Sequence, residues 1–122
     1  MHRPSRQLPI AYRGRRTDVG TVVEAESPAG IWYELDPRLD LRNHSPTGFE
    51  WGYGGSGPAQ LALALAASRL PEITAPAIYQ PLKRTLVAGL DRHGWQLTGD
   101  ALDHLLVKLL SANIAEDLQR PR

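Results

Sequence analysis

The sequence predicts an α+β domain, in which a small antiparallel sheet of three to four strands, in the N-terminal half, packs on about three helices. Two patterns predict this class. Short runs of β-branched and aromatic residues, separated by proline and glycine, occupy the first third of the chain. From Pro58 onward, leucine and alanine recur at helical spacing instead. The length of 122 residues suits one hydrophobic core, so a single domain is expected.

The strands follow from the alternation of apolar and polar residues and from the turns between them. They are expected at residues 8–13, 21–25 and 31–35. A turn is expected over residues 14–20, and Ser-Pro-Ala-Gly at 27–30 suits a second reversal. Such short connections favour an antiparallel meander. Residues 39–42 and 95–97 are candidates for further extended segments.

The first helix is expected over residues 58–69. Pro58 lacks an amide hydrogen and is tolerated in a first helical turn, so Ser56 or Gly57 is the expected cap. Leucine and alanine fill almost every position of this segment and leave almost no polar face. A helix that is apolar on all sides belongs inside the protein, so this one is predicted to be buried.

Two further helices follow. Thr74 is a candidate cap for a helix over residues 75–90, whose apolar residues recur every four positions on one side. Thr98 is a candidate cap for a third helix, in which five leucines between residues 102 and 110 form one stripe. The third helix is expected to reach about residue 114. Residues 8–114 are therefore assigned to the domain, with a flexible basic tail at 1–7 and a flexible tail at 115–122.

Composition narrows the class of protein. Cysteine is absent, which excludes disulfides and thiolate metal ligands and favours a cytoplasmic setting. No stretch approaches the roughly 20 apolar residues that span a bilayer, so a membrane partner is not expected. Five arginines precede the first acidic residue, Asp18. This basic segment is interpreted either as a solvated terminus or as an arm that contacts phosphate or an acidic partner.

The most unusual segment is a glycine-rich loop, residues 48–57, directly before the first helix. Three of its glycines have the spacing G-x-G-x-x-G, but no strand long enough for a dinucleotide fold follows the helix. Three interpretations remain open: a packing device, a pocket for an anionic or planar ligand, and a loop that contacts another protein. The candidate ligand- or partner-binding residues are Glu50, Trp51, Tyr53, Gly54, Gly55 and Ser56.

Chemistry beyond binding has little support. The four histidines are scattered without metal-ligand spacing, so no metal site and no cofactor are predicted. Ser45 and Ser56 lie near His44 and Glu50 in the sequence, which suits a nucleophile and base but equally suits loop capping. A second candidate site is a basic patch that could add salt-dependent affinity for phosphate. Its residues are Arg13, Arg15 and Arg16.

A longer motif carries a family resemblance. Residues 43–65 read NHSPTGFEWGYGGSGPAQLALAL, with YRGRR upstream and YQPLKRTLVAGLDRHGWQLT downstream. From about Tyr12 to Leu106 the chain resembles an uncharacterised family of small bacterial proteins that often occur on plasmids, prophages and other mobile elements. Members commonly have an aromatic residue where this chain has Leu82. The family has no established activity, so the resemblance assigns no catalytic or binding residue.

The resemblance implies a function by association. Small proteins of mobile elements frequently block host defences, or adjust replication and transcription, by binding rather than by catalysis. The leading hypothesis is therefore a non-enzymatic protein that binds a host protein or complex, including a nucleic-acid-bound one, such as an inhibitor of CRISPR interference. The alternatives are an anion- or nucleotide-binding module that uses the glycine-rich loop, and a nucleic-acid-binding protein that uses the arginines.

Overall fold

The computed structural model describes residues 7–120, so all but the last residue of the predicted basic tail at 1–7 lies outside the described residues. Four strands form one antiparallel sheet in the order β3-β2-β1-β4. The strands are β1 (Ala11–Thr17), β2 (Gly20–Glu26), β3 (Trp32–Glu34) and β4 (Gly94–Thr98). The helices are α1 (Ser56–Ala67), α2 (Ala75–Thr85) and α3 (Gly99–Gln119). The predicted α+β class is confirmed, and the fourth strand comes from the C-terminal half of the chain.

The first strand differs from its prediction. β1 continues to Thr17 instead of ending at Arg13, so the turn is shorter than the expected 14–20. Gly14 is a residue of β1 and pairs with Trp95 of the neighbouring strand β4. Because a Cβ at this glycine would lie 2.3 Å from the Trp95 Nε1 atom, only a residue without a side chain fits there. The Trp95 indole fills the space that an inward side chain at residue 14 would occupy. The alternation of apolar and polar residues in the sequence therefore stops at Gly14, although the strand continues.

The predicted extended segment at residues 39–42 is wrong, because the chain turns there. Arg38 has a left-handed backbone with φ of 55°. Its amide donates to the Asp36 carboxylate at 2.9 Å, and the Leu41 amide donates to the Arg38 carbonyl at 3.0 Å. A local side-chain acceptor and a helical-type turn thus replace the strand ladder.

Helix α1 is buried on all sides, as predicted: eleven of its twelve residues are buried. Its side chains share one apolar cluster with inward side chains of β1 and β2 and with α2, so α1 lies between the sheet and the second helix. The expected caps, Ser56 and Gly57, are wrong. Gly55 is the N-cap and provides no side-chain hydrogen bond.

One polar side chain is fully buried within α1. The Gln60 carbonyl oxygen accepts from the amides of His44 and Ser45 at 2.8 and 3.2 Å. Its amide nitrogen donates to the carbonyls of Pro37 and Arg42 at 2.6 and 3.0 Å. All four hydrogen-bonding positions of this side chain are therefore used. Gln60 fixes the loop of residues 37–45 against the buried helix.

The second and third helices agree with the sequence in position but not in length. α2 ends at Thr85, not at 90, and Val87–Gly89 forms a 3₁₀ turn. Leu86 leaves the helical conformation with φ of −121°, and the Val87 carbonyl beyond it accepts from the Gly52 amide at 3.0 Å. Thr98 caps α3 as predicted, and its hydroxyl accepts from the Ala101 amide at 3.1 Å. The cap position of Thr74 is also right, although its side chain makes no capping bond.

Helix α3 extends beyond the predicted domain boundary at 114. It continues to Gln119, although its residues after 113 are exposed. The expected tail at 115–122 is thus helical over its first five residues. Between residues 7 and 120, no helix combines the length and the apolar character needed to cross a membrane.

Candidate functional site

Trp51, a predicted site residue, points into the core. Its side chain is 0% exposed, and its indole N–H donates to the Arg92 carbonyl at 3.2 Å. Its ring meets the Trp95 ring edge-on, with centroids 5.8 Å apart. Of the interpretations left open by the sequence, packing describes this aromatic, because no face of its ring is free for a ligand.

The other loop residues are divided between packing and exposure. Gly52 has φ of 85°, and a Cβ on Gly57 would lie 2.7 Å from the Glu50 Cβ, so these two glycines serve backbone turning and close contact. Tyr53 is 43% exposed, and its ring lies beside Gly55. Two more predicted site residues, Gly54 and Ser56, are also exposed. The loop therefore presents one aromatic ring at the open start of α1.

Glu50 belongs to an ion pair that links the loop to the sheet. The Arg16 guanidinium donates to both carboxylate oxygens of Glu50, at 3.0 and 3.1 Å. The same guanidinium donates to the Arg92 carbonyl at 2.6 Å and lies 4.8 Å from the centroid of the Trp51 ring. The hydrogen bonds from Arg16 lower the pKa of the Glu50 carboxyl below its usual range. Two predicted site residues, 34 positions apart, thus meet in one cluster.

This pair predicts a pH-dependent coupling. We expect Glu50→Gln and Arg16→Gln, measured singly and together by chemical denaturation, to show a coupling of about 0.5–1 kcal/mol at pH 7. Because the folded-state pKa of Glu50 is lowered, this stabilisation is present above the ordinary glutamate pKa of about 4.3. It should be lost as the pH falls through the lower folded value.

A matched control uses an exposed ion pair at the C-terminal end of α3, between Asp117 and the C-cap residue Arg120, whose side chains lie 3.8 Å apart. The substitutions Asp117→Asn and Arg120→Gln should show almost no coupling, because a single long contact in water contributes little. A coupling at Glu50 that is no larger than this control, or that does not change with pH, would contradict a stabilising ion pair between Arg16 and Glu50.

The predicted basic patch is split between the two faces of β1. Alternation along the strand puts Arg13 and Arg15 on one face and Arg16 on the other. The Arg13 Nε donates to the Glu24 carboxylate at 3.0 Å, and the Arg15 Nε lies 3.6 Å from the same carboxylate. The Arg13 guanidinium also stacks 3.9 Å from the centroid of the Trp32 ring. Each arginine of the patch therefore has a carboxylate partner.

Arg13 and Arg15 belong to a larger surface, the outward side of the four strands, which we name the open face. Two cross-strand rows run over it. They are Trp32-Glu26-Ala11-Thr98 and Glu34-Glu24-Arg13-Gln96. None of these eight residues is fully buried, whereas the inward rows hold the buried Tyr12, Val23 and Ala25. No helix in the described part of the chain covers this face.

The open face is not flat. One hollow is bordered by Trp32, Ala11 and Thr98, and a second by Arg15 and Gly94. Gln96 lines both hollows. Trp32 and Gln96 were not among the predicted site residues. The signal that could have identified them is the hairpin register, which sets an aromatic residue and charged residues on the same face.

The candidate nucleophile Ser45 and the candidate base His44 each have a hydrogen-bonding partner among residues 7–120. No group of three or more His, Cys, Asp or Glu side chains within this range could hold a metal ion. The Ser45 hydroxyl donates to the Gly48 carbonyl at 2.7 Å. His44 Nε2 lies 2.7 Å from the Tyr79 hydroxyl. The serine and histidine that adjoin in sequence thus have separate partners.

Comparison with known proteins identifies a family without assigning a function. No curated protein matches the chain, and no solved structure matches it. A family model matches most of the chain, from the first buried tyrosine of β1 to the middle of α3. The chain belongs to the family of unknown function DUF6166, whose model matches residues 12–108.

Proposed function

We propose that this chain is a non-enzymatic binding protein that docks a partner protein on the open face of its sheet. The observation that carries the proposal is the stacking of Arg13 on Trp32 on the outward side of the sheet. Tryptophan and arginine are enriched among the residues that dominate protein–protein binding energy. Their mutual stacking, with Glu24 holding the guanidinium, orders both side chains before a partner arrives.

The charge on the open face favours a protein over a nucleic acid. The two arginines of this face stand beside three glutamates, Glu24, Glu26 and Glu34. A phosphate backbone would approach more carboxylates than guanidinium groups there, and binding would need the arginines to leave Glu24. The mixed charges suit the polar rim of a protein interface, with Trp32 and Ala11 as its apolar part. Nucleic-acid binding and anion binding by the glycine-rich loop are therefore the weaker alternatives.

The class of partner follows from the family resemblance. Part of the proposal is that the chain comes from a mobile element and that its partner is a host protein or complex. An effector of CRISPR interference is the partner that we would test first. The support for this step is the motif of residues 43–65. Binding to such a complex would block it by occupying a surface, without chemistry.

The experiment combines capture of host proteins with a defence assay. The double variant Ala11→Arg and Gln96→Arg places two long charged side chains on the open face without touching the core. A matched control makes the same changes on α3, at the exposed Ala101 and Gln119. We expect the wild-type chain and the control to retain the same host protein and to impair defence against a targeted plasmid.

The open-face variant should lose both properties while it keeps the unfolding temperature of the wild type. If the partner binds this variant as tightly as the control, the open face is not the docking surface. If the wild-type chain retains no host protein and leaves defence intact, the proposed function is wrong.

A further inference from the structure

A second surface lies at the free edge of the sheet, along β3. This strand is outermost in the sheet order, and among residues 7–120 no other strand pairs with its far side. The Leu35 amide donates to the Val23 carbonyl at 3.0 Å, and the Ser27 amide donates to the Ile31 carbonyl at 2.9 Å. Odd-numbered residues around β3 therefore direct their main-chain groups towards β2.

Alternate residues of an antiparallel strand direct their main-chain groups to opposite sides. The amides and carbonyls of Trp32 and Glu34 consequently point to the open edge, as two donors and two acceptors. Such a row is a template for an added strand. Addition of a strand uses these groups for affinity and uses side-chain pockets for selectivity.

A cavity of about 350 Å³ lies beside the β3 segment, on the side of the sheet that faces α1. Its walls are Tyr33 and Leu35 of the β3 segment and Ala64 and Ala67 of α1. Tyr33 belongs to an inward-facing row but remains 43% exposed, because the sheet ends beside it. Paired residues of neighbouring strands point to the same face, so the residue of a fifth strand opposite Tyr33 would point its side chain to the side of this cavity.

The rim of the cavity is acidic. Three carboxylates line it, from Asp36, Asp40 and Glu72, against one guanidinium, from Arg38. The Arg38 side chain is only 10% exposed and is held by Asp40 at 3.0 Å and by Glu72 at 2.6 Å. The side chains of Asp40 and Glu72 are 63% and 65% exposed, so both can accept further hydrogen bonds from outside.

We propose that the β3 edge binds an extended basic segment of another protein as a fifth strand, with a lysine or arginine side chain in the cavity. The segment's main chain would pair with Trp32 and Glu34, and its cation would reach Asp40 and Glu72. A second copy of this chain fits poorly, because pairing two β3 edges would bring their acidic rims together. Trp32 and Glu34 contribute side chains to the open face but main-chain groups to this edge, so the proposal does not depend on docking on the open face.

The test uses three synthetic heptapeptides and the full chain. The first alternates lysine and valine, the second alternates glutamate and valine, and the third is the lysine peptide with N-methyl groups on alternate backbone amides. N-methylation leaves the charge unchanged but removes main-chain donors. We expect the lysine peptide to bind in a nuclear magnetic resonance titration, and the other two to bind at least tenfold more weakly.

Hydrogen exchange locates the bound peptide independently of any variant. The amides of Trp32 and Glu34 should exchange more slowly when the lysine peptide is present. The Gln96 amide provides the control, since it points to the opposite edge of the sheet, beyond β4. Protection at Gln96 without protection at Trp32 would overturn the assignment of the edge.

Two variants test the charge. Asp40→Asn with Glu72→Gln should weaken binding of the lysine peptide at least tenfold, and Asp100→Asn with Glu116→Gln, the same changes at exposed sites on α3, should not. If Asp40→Asn disturbs the fold, the single variant Glu72→Gln is used instead. It should weaken binding of the lysine peptide, and the N-methylated peptide should still bind the wild-type chain more weakly than the lysine peptide does. Equal binding of the methylated peptide, or a β3-paired dimer in sedimentation, would overturn the proposal.

Discussion

Leu63→Asp is expected to abolish cooperative folding of this domain. Leu63 lies at the centre of α1 and is 0% exposed. The substitution removes a buried leucine that contributes on the order of 1.5–3 kcal/mol. It also buries a carboxyl group without a partner, which costs several kcal/mol more whether the group is ionised or takes up a proton. The free energy of unfolding of a small domain is about 5–15 kcal/mol, so these two costs together approach the total stability of the protein.

Circular dichroism and chemical denaturation measure this effect. The matched control is Leu118→Asp, the same change on α3 at a side chain that is 79% exposed. The control should unfold cooperatively with a midpoint close to that of the wild type, because no apolar burial is lost there. A cooperative transition of Leu63→Asp near the wild-type midpoint would show that α1 is not enclosed by the sheet and the other helices.

The enclosure of α1 could be predicted from sequence because it depends on local composition alone. A segment without a polar face has no stable position at the surface. The strand boundaries depended on partners distant in sequence. β1 passes through Gly14 because the Trp95 indole fills the space that a side chain would occupy, and residue 95 lies 81 positions away. The alternation of apolar and polar residues within one strand does not indicate that a side chain from another strand fills the space beside a glycine.

For the predicted site residues too, local features could be predicted from sequence, whereas contacts with distant residues could not. The periodicity of a strand predicts that Arg13 and Arg15 share a face that excludes Arg16. The carboxylates that hold these arginines could not be predicted, because Glu24 becomes a partner through the hairpin register and Glu50 through the folding of a loop 34 residues away. A run of positive charge in sequence is therefore a weak predictor of a positive surface.

The role of Gln60 in fixing the loop of residues 37–45 was not predicted. This residue is the one polar side chain among residues 58–67, a segment otherwise made of leucine, alanine and proline. A polar side chain in a fully buried helix needs hydrogen-bonding partners inside the protein. That rule predicts that Gln60 fixes another segment, although it does not say which one. The structure identifies the segment as the loop from Pro37 to Ser45.

Gln60→Leu is therefore expected to destabilise the domain by about 3 kcal/mol or more, although leucine is as large and more apolar. Four main-chain groups lose their partner, and each group that stays buried and unsatisfied costs about 1–3 kcal/mol. Chemical denaturation at pH 7 measures the loss. The control is Gln80→Leu, the same change on α2 at a half-buried position, which should alter stability by less than about 1 kcal/mol.

Gln60→Glu separates the donor role of this side chain from its volume. A carboxylate can accept from the amides of His44 and Ser45 but opposes the carbonyls of Pro37 and Arg42 with another acceptor. Burial and these carbonyls raise the folded-state pKa of the introduced carboxyl above the ordinary value of about 4.3. The deficit relative to wild type should therefore be smallest below that value, where the protonated group donates once, and grow as the pH rises through the folded pKa. A deficit that is independent of pH would mean that the loop of residues 37–45 does not need its two carbonyls satisfied by Gln60.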